Sequence, residues 1–71
     1  MFDQVVDDLI DSLNDSDVAG LKAYSTARRG VPGEYDGKLL ARTRAEIGRD
    51  LSDDERRRIR SKFIEGIRAK P

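Results

Sequence analysis

The sequence predicts an all-α fold: a compact bundle of three to four short helices forming one domain over residues 1–71. Three observations carry this expectation. Apolar residues recur at helical spacing, no segment alternates with period two, and capping residues or glycines bound each candidate helix.

Phe2, Val5, Val6, Leu9, Ile10 and Leu13 fall at i, i+3, i+4, i+7, i+8 and i+11, one apolar face of a first helix. Asp3, Asp7 and Asp11 repeat every fourth residue on its other side, and Asn14 is placed to end it in a left-handed conformation. In "DSD", 15–17, Asp15 or Ser16 supplies the cap of a second helix. That helix runs to about Arg29, with Val18, Leu21, Tyr24 and Ala27 facing inward. Arg28 and Arg29 suit the negative end of its dipole, and Gly30 suits its C-terminus.

"GVPGEYDG", 30–37, reads as the one real loop, with Pro32-Gly33 favouring a tight turn and Tyr35 at the apex. Asp36 then caps a third helix from Gly37 to about Ile47. Its inner residues are Leu39, Leu40, Thr43 and Ile47, and Gly48 closes it. Ser52 with Glu55 three residues on forms a capping box, the most specific local signal in the chain. The fourth helix follows, with Ile59, Phe63 and Ile67 as its inner stripe and Ile64 on the flank. The expected core is Phe2, Val6, Leu9, Leu13, Leu21, Leu40, Ile47, Ile59, Phe63 and Ile67.

A chain of 71 residues buries only about 60 % of the surface that its unfolded form exposes, so stability is marginal. With no cysteine and no histidine, disulfides and the usual zinc ligand sets are excluded. Good helix packing or self-association must serve instead. "DSDVAG", 15–20, begins like a calcium loop, but Ala19 and Thr26 stand where two oxygen ligands belong. No metal and no cofactor is expected. Nor is catalysis: there is no imidazole or thiol, no serine has an activating neighbour, and four short helices do not wall off a pocket of about 300 Å³. No apolar run approaches the roughly 18 residues of a membrane span. The acidic amino terminus is the opposite of a secretory signal, so a cytoplasmic protein is expected.

Formal net charge is zero, yet the charges are sorted. Residues 1–17 carry six aspartates and no Lys or Arg. Arg28, Arg29, Arg42, Arg44, Arg49, Arg57, Arg58, Arg60 and Lys62 are candidates for one basic patch that meets nucleic acid or an acidic partner. Against this stands a solvated reading of the fourth helix, in which Asp53 meets Arg57 and Asp54 meets Arg58 at i, i+4. Asp3, Asp7 and Asp11 are candidates for partner binding. They stand about 6 Å apart along one face, a row suited to imitating a phosphate backbone, to folding onto the basic half of this chain or a second subunit, or to keeping the helix solvated. Tyr35 is either an aromatic anchor for a partner or a lid on the small core.

"LLARTRAEIGRDLSDDERRRI", 39–59, resembles the first two helices of the lambda-repressor-like family, in which an Arg-rich helix leads through a short turn into an acid-capped one. The resemblance implies a helix-turn-helix pair. The turn here is longer by about a residue or two, and the base-reading third helix has no counterpart, so no residue role carries over.

The expected function is that of a small non-enzymatic regulator or adaptor that binds another protein, with self-association into a homo-oligomer. The alternative is a small DNA- or RNA-binding regulator using the arginines of the two C-terminal helices. A weaker alternative is an acidic decoy of a nucleic-acid-binding protein, of the phage-inhibitor type.

Overall fold

The computed structural model describes residues 2–28 and 30–70, with the side chain of Phe2 outside that description. Four helices appear in chain order: α1 (Phe2–Asp11), α2 (Asp15–Arg28), α3 (Gly33–Ile47) and α4 (Asp53–Ala69). Among the described residues there is no strand. The radius of gyration is 11.5 Å, close to the ~11 Å expected of a folded chain of this length.

Helix α4 is the strut. Each of the other helices packs on it, α1 most extensively, and α1 also packs on α3. Helices α2 and α3 do not pack on each other. The core comprises Val5, Val6, Leu9, Ile10, Val18, Leu21, Leu39, Leu51, Ile59, Phe63 and Ile67. Six of the residues expected inside are there: Val6, Leu9, Leu21, Ile59, Phe63 and Ile67. Leu13, Leu40 and Ile47 are only half-buried at its margin, and the Phe2 side chain lies outside the described residues. Leu51, which belongs to no helical stripe, is buried from the turn before α4. Tyr24 and Ala27 face outward rather than inward. The buried hydroxyls are satisfied within their own helices: Thr43 donates to the Leu39 carbonyl at 2.8 Å and Ser25 to that of Lys22 at 3.0 Å.

Several helix ends differ from expectation, each for a physical reason. The last turn of α1 tightens, with the amides of Ser12 and Leu13 donating to the carbonyls of Leu9 and Ile10, three residues back. Asn14 does not terminate α1 but caps α2, displacing Asp15 and Ser16 from that role. Its Oδ1 accepts the Asp17 amide at 2.8 Å, and the Asp17 carboxylate accepts the Asn14 amide in return at 3.4 Å.

The expected loop shrinks to Gly30–Pro32, because α3 begins at Gly33. Pro32, with φ −55°, occupies the N-cap position without a side-chain hydrogen bond. Asp36 therefore lies in the first turn of α3 and is not its cap. The end of α3 and the start of α4 match expectation. Gly48 takes φ 73° and donates its amide to the Arg44 carbonyl, while Ser52 and Glu55 complete a reciprocal capping box.

Where α1 meets α4, Gly66 lies directly under the side chain of Ile10. A Cβ at position 66 would fall well inside van der Waals contact with Ile10 Cδ1. Ile10 is buried in the core, so its side chain has little room to turn away. Substituting Gly66→Ala gains about 1 kcal/mol of helix propensity but displaces Ile10 at a cost of about 1–3 kcal/mol. We expect urea denaturation to show a net loss for Gly66→Ala alone. In an Ile10→Val background, which removes Cδ1, the same change should stabilise. Additive effects of the two substitutions would disprove the clash.

Candidate functional site

The sorted charges of the sequence meet one another in space. Asp3 of α1 pairs with Lys62 of α4 at 2.5 Å, and Asp11 approaches Lys70 at 3.8 Å. Both helices advance by the same eight residues between the two pairs, so α1 and α4 run in the same direction. Across the α3–α4 contact, Arg60 donates to both oxygens of Asp36, at 2.7 and 3.1 Å. The fork is bidentate, the geometry in which arginine binds a carboxylate best.

Arg49 makes a second fork at the turn before α4. Its two terminal nitrogens donate to Glu55 at 2.9 and 2.8 Å, and one of them also donates to the Asp50 carbonyl. Glu55 thus serves both the capping box and Arg49. The nearby guanidinium, then the Ser52 amide, hold its carboxyl at about 2, against an ordinary value of 4.5. Lys62, by hydrogen bond and charge, lowers Asp3 in the same way.

The pairing within α4 differs from the expected i, i+4 pattern. Arg57 reaches back to Asp54, three residues away. Neither Asp53–Arg57 nor Asp54–Arg58 forms an ion pair among the described residues. Arg44 lies 3.7 Å from Asp50. Of the nine expected patch residues, Arg44, Arg49, Arg57, Arg60 and Lys62 thus stand beside carboxylates of this chain. Arg28, Arg42 and Arg58 are exposed without such a partner among the described residues, and they belong to three different helices. Arg29 lies outside the described residues.

The aspartate row is divided too. Asp3 and Asp11 engage α4, while Asp7 lines an open groove of ≈ 400 Å³ with Asp3, Val6, Lys62, Glu65 and Gly66. A second groove, of ≈ 290 Å³, lies between Leu13, Asp15, Val18, Ala19, Lys22 and Lys70. Among the described residues no three carboxylates converge as a metal site would require. Tyr35 is not at a loop apex: it stands in the first turn of α3, half-buried against the core margin, with the Lys38 ammonium 5.7 Å from its ring centroid. Burial, and after it the charges of Asp17 and Glu34, raise its phenol above the ordinary value.

Sequence reasoning passed over the Arg49–Glu55 fork, because residues six apart on either side of a turn share no helical register. It set Ile64 on the flank of the α4 stripe and Arg68 on the outer face, and gave neither a part in a site. Ile64 stands beside Gly30, Val31, Leu21 and Ser25, and Arg68 lies one turn further along α4.

No family model matches the chain, and no solved structure matches it. An uncharacterized protein, y4oD, of Sinorhizobium fredii (strain NBRC 101917 / NGR234) is 42 % identical over 55 residues. The match covers 78 % of this chain but 26 % of that protein, so the chain spans about a quarter of the relative's length.

The depressed carboxyls set the acid response. Because the folded-state value of Glu55 lies below its ordinary one, its contribution is complete above about pH 4.5 and is lost as pH falls toward 2, and the contribution of Asp3, lowered likewise, is also lost on acidification. We expect the thermal midpoint to be level from about pH 7 to 5 and to fall steeply below. Arg49→Gln, which keeps the cap, should make that fall shallower. An unchanged slope in Arg49→Gln would show that the fork is not its source.

Proposed function

We propose that this chain is a non-catalytic helical module of the cytoplasm that acts by binding another protein. No helix among the described residues is long and apolar enough to cross a membrane. The observation that carries the reading is where the cations go. Five of the nine candidates for a phosphate-binding patch already stand beside carboxylates of this chain, and the exposed remainder is dispersed over three helices. Duplex binding needs several simultaneous phosphate contacts on one surface, so the nucleic-acid alternative is the less supported. The decoy reading loses support similarly, since Asp3 and Asp11 are held by Lys62 and Lys70.

Self-association also loses its original motive. Val5, Val6, Leu9 and Ile10 are buried within one chain, so the stripe on α1 needs no second copy to cover it. Likeness to part of a longer protein fits a module that works attached to, or alongside, other domains.

The test has two arms. Fluorescence anisotropy with labelled random duplex DNA should stay flat at low salt, and a steep salt-dependent isotherm would instead establish the nucleic-acid reading. Immobilised chain should retain a specific protein from lysate of its native host, displaceable by free chain. Failure to retain any competable protein would overturn the proposal. Light scattering across concentration should report a monomer.

A further inference from the structure

We infer that the edge where α2, the Gly30–Pro32 loop and α4 meet docks an acidic segment of a partner protein through an apolar side chain flanked by carboxylates. This inference rests on the protein-binding reading above and names the partner's chemistry. Leu21, Ser25, Phe63 and Ile67 form the floor of this edge and are buried. The crevice between them has no room even for a water molecule, so the surface is a shallow apolar strip and not a pocket for a small ligand. Val31 and Ile64 stand on the strip half-exposed, although both are aliphatic.

Two guanidinium groups flank the strip along its helices. Arg28 lies one turn along α2 from Ser25, and Arg68 lies one turn along α4 from Ile64. Both are exposed and have no carboxylate partner among the described residues. Arg60, one turn from Ile64 on its other side, is already forked onto Asp36. Two free guanidinium groups thus bracket two half-exposed aliphatic side chains.

That arrangement selects among partners. Two cations are too few to hold a duplex, and Val31 and Ile64 offer a phosphate backbone nothing. A free guanidinium presents a fork that fits a carboxylate, and an apolar residue between two such carboxylates would cover the strip. The fitting occupant is therefore an amphipathic segment with Leu- or Ile-type residues at helical spacing and Asp or Glu on either side.

The experiment is an amide-shift titration of the full chain with a capped helical peptide of about 16 residues, its leucines at i, i+4 flanked by glutamates. A matched peptide with lysine for glutamate, and a short random DNA duplex, serve as comparisons. We expect the glutamate peptide to shift Val31, Ile64 and their neighbours, and the lysine peptide to shift nothing. The double variant Arg28→Glu/Arg68→Glu should bind at least about tenfold more weakly. Both sites are exposed, so circular dichroism should show the variant folded.

Equal binding of the two peptides, shifts confined to another face, undiminished binding by the variant, or no shift up to about 1 mM peptide would each overturn the assignment. So would shifts of these same residues by DNA alone. None of these results touches the capture experiment, which decides separately whether the chain binds a protein at all.

Discussion

Ile59, Phe63 and Ile67 lie on one side of α4, and nearly everything else in the fold is arranged around them. Each is essentially excluded from solvent, and burial of such a side chain contributes about 1.5–3 kcal/mol. The helices are short, from ten residues in α1 to seventeen in α4, and isolated helices below about 12–15 residues are marginal in water. Their stability is therefore shared, and α4 is where it is shared. Helix α2 packs on α4, and α3 packs on both α4 and α1. The parallel run of α1 beside α4 is allowed by the missing side chain at Gly66, which lets Ile10 sit where a β-carbon would stand.

The electrostatic pattern follows from that packing. An acidic first helix laid along a basic fourth helix brings Asp3 to Lys62 and Asp11 to Lys70. Exposed pairs of this kind contribute little to stability. Their effect is more on register, since a displaced α1 would separate both pairs together. The Arg60–Asp36 fork does the same for α3. The functional consequence is considerable: charges that look available in a list of residues are occupied once the helices meet. Arg28 and Arg68 have no carboxylate partner among the described residues, and the proposed docking rests on them.

Much of the fold was legible because much of it is local. The stripe of α4, the Ser52–Glu55 capping box and the left-handed Gly48 each depend on residues within a turn or so of one another, and each is present as expected. The start of α3 was not legible. Its first turn, Gly33–Asp36, lacks a side-chain cap, and what holds it is remote: Asp36 is tied to Arg60, twenty-four residues away, and Tyr35 leans on the core. Asn14 was misread for a related reason. Asparagine suits both the end of one helix and the cap of the next, and only its partner Asp17 decides between them. The candidate site was less legible than the fold, because ion pairing across helices depends on their relative rotation, which no periodicity encodes.

By itself, the amino-acid order determined an all-helical chain, four apolar faces, the closing glycine of α3 and the absence of imidazole and thiol chemistry. These are matters of composition and of contacts a few residues apart. Only the tertiary structure decided which acids meet which bases, that α1 needs no second copy to cover its apolar face, and which arginines stay free at the α2–α4 edge. The reason is physical: Coulomb and van der Waals interactions act over a few ångströms of space. Residues 3 and 62, or 36 and 60, become neighbours only after the core has set the helices against each other.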